Sequence, residues 1–307
     1  MEKDRYNHLN KYLKELFGER VLKICIDGNF TCPNRDGSKA QGGCIFCSER
    51  GSGDLIKNKC DNVYASIKNQ VEKFLTSYRG ERANKFIAYF QNFSNTYDSI
   101  ENLKKKYDIS LNSSDKIIGL EIATRPDLIT DEVVELLSTY KDNYYVTVEL
   151  GLQTANDKIG EIINRCYKTE DFVKACSKLK TAGINVVGHL MVGLPNESKE
   201  DILRTVKVFN ECNCDGIKIH STHILKNTEL EKMYIRGEYS PITLDYYVEM
   251  VGMIISNLNS DIIIHRVTAD PPKEIFVAPD WQLHKKIVLN SIERYLKENN
   301  ITQGCEK

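Results

Sequence analysis

Three cysteines in the stretch "CPNRDGSKAQGGCIFC" have the type and spacing of a metal site. Cys32, Cys44 and Cys47 follow the pattern C-x11-C-x2-C, and the glycines between them allow the loop to fold tightly back. Structural zinc needs four ligands, and the fourth would come from Cys25 or Cys60. A four-iron cluster held by three thiolates instead keeps one iron open for another ligand. Three packed thiols without a metal are the least favoured interpretation.

The composition is that of an ordinary globular protein. The chain has 307 residues, a formal net charge of −1 and 28% charged residues, so it is long enough for one large core or two smaller ones. It begins with charged residues and has no apolar run long enough for a signal core or a membrane span. Ten cysteines without a secretion signal indicate a reducing compartment. We therefore expect a cytoplasmic protein with no membrane partner and, since no basic excess is present, no nucleic-acid partner.

Apolar runs of strand length alternate with helical patterns along the chain. The runs lie at 21–27, 85–91, 117–124, 145–153, 184–194, 216–225 and 262–269. Because they are mostly continuous, they predict strands covered on both faces. We expect an α/β fold in which residues 21–270 form a partial or complete (β/α) TIM-type barrel, with a doubly wound sheet as the alternative. Residues 1–20 are expected to form an N-terminal helix, and residues 271–307 a C-terminal loop and helix packed on the barrel.

Polar residues concentrate where these strands should end, which is where (β/α) barrels carry out their chemistry. They are Asp27, Gln91, Thr124, Arg125, Gln153, His189, His220, His223, Arg266 and Asp270. Lys218 and His220 are two residues apart and share one face of their strand, whereas His223 belongs to the other. The sequence does not decide which of these faces lines the barrel.

The cysteine triplet after the first strand resembles the cluster site of radical S-adenosylmethionine (radical SAM) enzymes. The usual spacing in that superfamily is C-x3-C-x2-C, and the longer first gap here is similar to its Elongator-like branch. "IATRPD", "ELGLQT", "INR", "VGLP" and "APDWQLHKK" add to the likeness, which is greatest for a compact bacterial subgroup. The resemblance implies a [4Fe-4S] cluster on Cys32, Cys44 and Cys47, with S-adenosylmethionine on the open iron. It also implies that Phe46 lies beside the adenine.

The same resemblance implies further cofactor contacts. The motif after the second strand, which receives the methionine amino group in the family, is here occupied by Gln91 and Asn92. After the third strand the branch has a glutamate where this chain has Ala123, so the contact passes to Thr124 or Arg125.

Contacts to the ribose and the carboxylate of the cofactor are implied for three more residues. Gln153 and Arg165 match the residues that hold them, and His189 stands where related enzymes have an aspartate on the ribose. Each residue has a structural alternative. Gln153 could cap a helix, Arg165 could form a surface ion pair, and His189 could be a hydrogen-bonded core residue.

Acidic and basic residues within the predicted barrel are candidates for substrate binding. Glu149 lies in mid-strand, where a carboxylate is costly unless it is paired, and we favour substrate or cofactor contact over a structural ion pair. Glu121 and Asp270 are the other carboxylates that could face an amine or a guanine-like edge. His220 and Arg266 complete the set of expected substrate contacts. No residue is assigned as the catalytic group.

The resemblance implies a reaction that begins with one-electron reduction of S-adenosylmethionine. The resulting 5′-deoxyadenosyl radical removes a hydrogen atom from the substrate, and an external donor such as flavodoxin or ferredoxin supplies the electron. A small, nucleobase-like substrate is favoured, and one activity of the compact subgroup is the cleavage of queuine to 7-aminomethyl-7-deazaguanine, a lyase reaction of queuosine salvage. The alternatives are another small-molecule reaction, tRNA modification, or a non-catalytic metal-binding scaffold that docks on RNA.

Overall fold

The computed structural model describes residues 4–49, 51 and 62–306. Seven parallel strands form one sheet in the order β1-β2-β3-β4-β5-β6-β8, and β7 and β9 form a small antiparallel pair. The strands are β1 (Val21–Ile26), β2 (Lys85–Phe90), β3 (Ile117–Thr124), β4 (Tyr145–Gln153), β5 (Asn185–Val192), β6 (Gly216–Ser221), β7 (Ile224–Leu225), β8 (Ile263–Arg266) and β9 (Phe276–Ala278). Strand order follows chain order without reversal, which excludes the doubly wound alternative.

Ten helices are defined in the described part of the chain. They are α1 (Leu9–Phe17), α2 (Val63–Leu75), α3 (Ile100–Leu111), α4 (Asp131–Ser138), α5 (Asp157–Ile162), α6 (Thr169–Thr181), α7 (Lys199–Glu211), α8 (Glu229–Ile235), α9 (Leu244–Asn257) and α10 (Lys285–Glu298). Polar side chains cap the N-termini of several of these helices. Ser198 and Asp201 form a capping box at the start of α7, and Thr130 caps α4.

The sheet curls into a half-barrel, as the partial (β/α) barrel prediction requires. Among the described residues β1 and β8 are not paired with each other, and the N-terminal segment lies along β8 instead. The N–H of Ile264 donates to the carbonyl of Asn7 (2.8 Å), and His8 forms a parallel bridge with Ile264. The amphipathic helix α1 buries Leu13 against Val21 and Ile87 at the amino ends of the strands. The opposite, carboxyl ends remain the place for a site.

The predicted strands are confirmed, five of them to within two residues at each end, and the other two end earlier than predicted. The run at 216–225 divides, because β6 ends at Ser221 and Ile224–Leu225 turn away to pair with β9. The run at 262–269 ends as a strand at Arg266, since the carbonyl of Val267 accepts from the buried Tyr247 hydroxyl rather than from a strand (2.7 Å). Beyond this point α10 buries Val288, Ile292 and Leu296 in the main core.

Within the described residues, no helix has the length and apolar character that crossing a membrane requires.

Glu197 gives the turn after β5 a pH dependence. Its Oε2 accepts hydrogen bonds from the N–H groups of Gly193 (2.8 Å) and Leu194 (3.3 Å), while burial raises the pKa of its carboxyl from 4.5 to about 8. Because the pKa is higher in the folded than in the unfolded protein, protonation of Glu197 contributes to the free energy of unfolding. This contribution is fully present below about pH 4.5 and is lost as pH rises through about 8.

We therefore expect the melting temperature of the wild type to fall by about 5 °C relative to that of Glu197→Gln between about pH 6 and about pH 9. Calorimetric scans of both proteins across this range measure the difference. The half-exposed Glu249→Gln is the control, and its pH profile should follow the wild type. Parallel profiles for wild type and Glu197→Gln would contradict the protonated, buried carboxyl.

Candidate active site

The cysteine loop begins directly after β1 and folds on itself through main-chain hydrogen bonds. The carbonyl of Cys32 accepts from the N–H of Arg35 (2.8 Å), and the N–H of Cys47 donates to the carbonyl of Cys44 (2.9 Å). Gly43 has a φ of +83°, in the left-handed region that favours glycine. A Cβ there would also lie 3.0 Å from the Arg35 side chain, so the tight loop depends on this glycine.

The loop is anchored to the segment between α5 and α6. The Asn34 amide donates to the carbonyls of Asn164 (2.7 Å) and Arg165 (3.2 Å), and the Asn164 amide donates to the carbonyl of Gly43 (2.8 Å). These reciprocal amide contacts join two segments that are far apart in sequence. They hold the thiols at the carboxyl edge of the sheet.

The three predicted ligands are thiols that influence one another electrostatically. Burial raises the pKa of Cys44 to about 12, with the neighbouring Cys47 and Cys32 raising it further. Four tetrahedral ligands of one zinc ion would have sulfurs about 3.8 Å apart, given Zn–S bonds of about 2.3 Å. Within the described part of the chain, the three sulfurs do not form a group whose donor atoms all lie within 4.8 Å of one another. Three thiolates match the protein ligand set of a four-iron cluster with one open iron, and Cys60 lies outside the described residues.

Arg125 is a cation beside this loop. It forms a bidentate ion pair with Asp127 (2.9 and 2.9 Å), lies over the ring of Tyr167, and donates to the carbonyl of Arg165 (3.1 Å). Its positive charge favours the thiolate form of Cys44, although burial outweighs this effect on the pKa. Most of its donors thus have protein partners, and its predicted cofactor contact stays a prediction.

Arg165 occupies a structural position. Its side chain is fully buried, and its guanidinium donates to the carbonyls of Leu152 (2.7 Å), Thr154 (2.5 Å) and Tyr167 (3.0 Å) and to Asp157 (2.7 Å). Four of its five N–H donors are therefore used within the protein. Arg165 thus keeps an ion pair, with the 43% exposed Asp157, although its own side chain is buried, and its predicted contact with the cofactor carboxylate stays a prediction.

The remaining predicted cofactor residues lie along the carboxyl edge of the sheet. Gln153 ends β4 with φ +61°, and its Oε1 lies 2.9 Å from the Tyr167 hydroxyl. Such a conformation costs about 1 kcal/mol or more and occurs preferentially at functional sites.

Asn92 is buried, and within the described structure its Oδ1 has no hydrogen-bond partner. Thr124 shares a hydrogen bond with the Thr96 hydroxyl (2.7 Å), and Phe46 packs against the small apolar cluster around Ile45.

A layer of charged side chains fills the barrel interior below this edge. Glu149 of β4 is fully buried and forms an ion pair with Lys218 of β6, while Lys23 of β1 pairs with Glu121 of β3. The Tyr89 hydroxyl donates to Glu149 Oε2 (2.6 Å) and accepts from Lys218 (3.1 Å). The mid-strand carboxylate is therefore paired, as its burial requires.

Histidines and an arginine lie above and beside the charged layer. His189 Nε2 lies 3.0 Å from Glu149 Oε2, and the rings of His189 and His220 are 5.1 Å apart. A register shift between β6 and β8 pairs Lys218 with Arg266, whose guanidinium lies 2.8 Å from His220 Nδ1. His265 of β8 also points inward, with its Nδ1 3.4 Å from the Lys23 ammonium.

These contacts show which face of β6 lines the barrel. Lys218 and His220 face the interior, whereas His223 lies beside Phe276 of β9, with ring centroids 6.3 Å apart. Asp270 lies apart from the interior layer, since its exposed carboxylate pairs with Lys285 of α10 (2.6 Å). Its role in substrate binding stays a prediction, as do those of the interior residues.

Burial and pairing shift the pKa values of the interior groups in different directions. Burial raises the pKa of Glu121 to about 8, whereas Lys218 and hydrogen bonds hold the pKa of Glu149 well below its usual range despite its burial. Burial lowers the pKa of Lys218 to about 8 and that of His189 below its usual range. At neutral pH His189 is therefore neutral and Glu149 is a carboxylate, so the imidazole N–H donates to it.

Sequence reasoning missed Lys23, Tyr89 and His265 as interior residues. Each lies within a strand, whereas the polar residues that the sequence indicates as candidates lie mostly at strand ends. One signal was present, because a lysine or a histidine in an otherwise apolar strand is costly without a partner.

Comparison with known proteins defines the class. Residues 34–209 match the Radical SAM superfamily, and residues 214–298 match its C-terminal domain. The chain therefore belongs to the radical SAM superfamily, whose members use a [4Fe-4S] cluster and S-adenosylmethionine.

Individual relatives place the chain more narrowly. It is 39% identical to "Uncharacterized protein YtqA" of Bacillus subtilis, covering 98% of this chain and 92% of that protein. It is 28% identical to a tRNA uridine(34) acetyltransferase of Methanocaldococcus jannaschii, over 66% of this chain and 37% of the relative. The fold is also that of the archaeal Elp3 of Methanocaldococcus infernus, with a TM-score of 0.67 at 20% identity over 92% of this chain and 64% of Elp3. Elongator-like relatives are thus confirmed.

Proposed function

We propose that this radical SAM enzyme acts on a small, nucleobase-like substrate bound between the cysteine loop and the interior layer. The observation that supports this is the layer itself. Lys218, Glu149 and His189 place a polar, hydrogen-bonded floor below the three thiols, where a purely structural barrel would carry apolar side chains. Such a floor suits a compact ligand with several donors and acceptors.

The residues of this chain supply binding and exclusion of water. When bound, the cluster and S-adenosylmethionine supply one-electron chemistry that yields a carbon radical able to remove a hydrogen atom. Cys32, Cys44 and Cys47 would hold the cluster, and Asn92 and Gln153 lie where they could hold the nucleoside. The interior ion pairs fix the side chains that face the substrate, which favours a single orientation for the reacting carbon.

Queuine is the candidate substrate, and its cleavage to 7-aminomethyl-7-deazaguanine is the candidate reaction. The carbonyl of its base and the hydroxyls of its cyclopentene ring would accept hydrogen bonds from Arg266, while His220 can donate or accept at the same place. Glu121 and Glu149 are already paired with lysines, so we assign them to positioning these groups.

The test is a reaction of reduced, reconstituted protein with S-adenosylmethionine and queuine, followed by mass spectrometry. We expect 5′-deoxyadenosine and 7-aminomethyl-7-deazaguanine in equal amounts. Deoxyadenosine without the deazaguanine would refute the queuine reaction and leave another small-molecule substrate as the proposal. A control without queuine measures the uncoupled cleavage of S-adenosylmethionine.

Modification of tRNA is the second candidate, because a relative is named a tRNA uridine(34) acetyltransferase. The match covers 37% of that protein, and the net charge of this chain is −1, which favours no polyanion. Incubation with bulk tRNA under the same conditions separates the two candidates. Substrate-dependent deoxyadenosine with tRNA but not with queuine would favour tRNA modification.

A further inference from the structure

A cleft beside the barrel opens on the interior layer. It has a volume of about 350 Å³ and lies between β8 with its following loop, the N-terminal segment and α10. Its lining includes Tyr6 and His8 on one side, His265 and Arg266 on the second, and Lys285 on the third. His265 and Arg266 line the cleft, and His265 also lies 3.4 Å from Lys23 of the interior layer, so the cleft and the layer are neighbours.

Two hydrogen-bond donors in the wall of this cleft lack partners. The Nε of Arg266 and the Oγ1 of Thr268 are both buried, and neither has a hydrogen-bond partner within the described structure. Thr268 is 4% exposed, so water does not readily replace the missing partner. A buried donor without a partner destabilises the protein, and more so when it is charged. Both residues line the cleft.

The guanidinium of Arg266 also lacks a counter-ion. Its contacts are to the ring nitrogens of His220 (2.8 and 3.1 Å), and the described residues place no carboxylate within 4.0 Å of it. The interior layer does not compensate for this charge, because Lys23 and Lys218 already pair with its two carboxyl groups, Glu121 and Glu149. The cleft is also lined by Asp270 and Glu293, but Asp270 pairs with Lys285 (2.6 Å), and within the described structure neither carboxylate lies within 4.0 Å of Arg266.

We propose that Arg266 and Thr268 form a subsite for an oxyanion, a carboxylate or phosphate group of a bound small molecule. Arg266 supplies a charge-assisted N–H and Thr268 a hydroxyl, and Lys285 lies at the rim in its pair with Asp270 (2.6 Å). Queuine carries no such group, and its contact proposed above uses the Nη2 of Arg266 beside His220, whereas the subsite uses Nε. Its oxyanion comes either from the methionine carboxylate of S-adenosylmethionine or from a second, separate ligand.

The test measures binding of inorganic phosphate to the full-length protein by isothermal titration, at constant ionic strength. We expect phosphate affinity to fall at least tenfold in Arg266→Gln and about threefold or more in Thr268→Val. Arg236→Gln is the matched control, because Arg236 is an exposed arginine already paired with Glu229 and Glu238, and it should bind phosphate as the wild type does. No phosphate binding by the wild type, or equal binding by Arg266→Gln, would overturn the proposal.

A stability measurement distinguishes an unpaired cation from a structural one. Without ligand, Arg266→Gln should melt at the same temperature as the wild type or higher, since the change removes an uncompensated buried charge. Arg125→Gln, which breaks a bidentate pair with Asp127, should melt lower. A fall for Arg266→Gln as large as that for Arg125→Gln would assign Arg266 a structural role instead.

The source of the oxyanion is decided by competition. If S-adenosylmethionine prevents phosphate binding and 5′-methylthioadenosine, which lacks the carboxylate, does not, the methionine carboxylate fills the subsite. If phosphate binds equally in the presence of S-adenosylmethionine, a separate ligand fills it. These binding results stand apart from the queuine assay, so failure of either one leaves the other intact.

Discussion

Cys47→Ala is expected to lose the iron–sulfur cluster and with it the cleavage of S-adenosylmethionine, by at least about a hundredfold. Three thiols are the whole protein ligand set proposed for the cluster, so removal of one leaves only two. Cys47 is held in place by its N–H bond to the Cys44 carbonyl, and its own carbonyl accepts from Arg35 (2.9 Å). These main-chain contacts do not need the thiol, so we expect the loop to keep its fold.

Iron analysis and absorbance after anaerobic purification measure this loss. The wild type should be brown with about four irons per chain, and Cys47→Ala should be nearly colourless. Cys166→Ala is the matched control, since Cys166 is an exposed thiol close enough to raise the pKa of Cys44 but outside the predicted triplet. Wild-type protein that is colourless and holds one zinc would contradict the predicted iron–sulfur cluster. Full iron content in Cys47→Ala would contradict the role of Cys47 as its ligand.

Lys218→Met is expected to lower the free energy of unfolding by about 3–5 kcal/mol. Lys218 and Glu149 are both almost completely buried, and the substitution leaves the Glu149 carboxylate with only Lys23 (3.7 Å) as a nearby ammonium. A buried charge that loses its partner is far more costly than the pair itself was favourable. Urea titration of wild type and variant, followed by circular dichroism, measures the difference.

Two further variants define the cause of this effect. Lys199→Met breaks an ion pair whose members are 46% and 44% exposed, so its effect should be within about 1 kcal/mol. The double variant Lys218→Met/Glu149→Gln removes both charges, and it should be more stable than Lys218→Met alone. Equal losses for Lys218→Met and Lys199→Met would show that the interior layer is hydrated and not a buried network.

Much of the fold could be predicted from the sequence because strand burial is a local signal. The continuous apolar runs at 117–124 and 145–153 became β3 and β4 with the same bounds, since strands covered on both faces carry no alternation. The capping box at Ser198 is equally local. The divided run at 216–225 was missed, because pairing of Ile224–Leu225 with β9 depends on a segment about fifty residues further along the chain.

Part of the candidate site could also be predicted from local sequence, and part could not. Cys32, Cys44 and Cys47 lie within sixteen residues, so their spacing alone indicated a shared metal site and, with the resemblance, its kind. The partners of Glu149 come from β1, β2, β5 and β6, and no local pattern indicates that Lys218, Tyr89 and His189 meet at one carboxylate. No local pattern indicates that the guanidinium of Arg165 donates to the carbonyls of Leu152 and Thr154, and its cofactor contact stays a prediction.

The superfamily, the parallel half-barrel and the proposed ligand triplet could be predicted from the sequence, because each is indicated by residues close together in the chain. The three-dimensional structure was needed to place Lys218 and His220, and not His223, on the interior face, and to show that Arg266 has no carboxylate partner among the described residues. Both outcomes depend on strand pairing. The register shift between β6 and β8 turns Arg266 inward beside Lys218, and such a shift becomes visible only when both strands are in place.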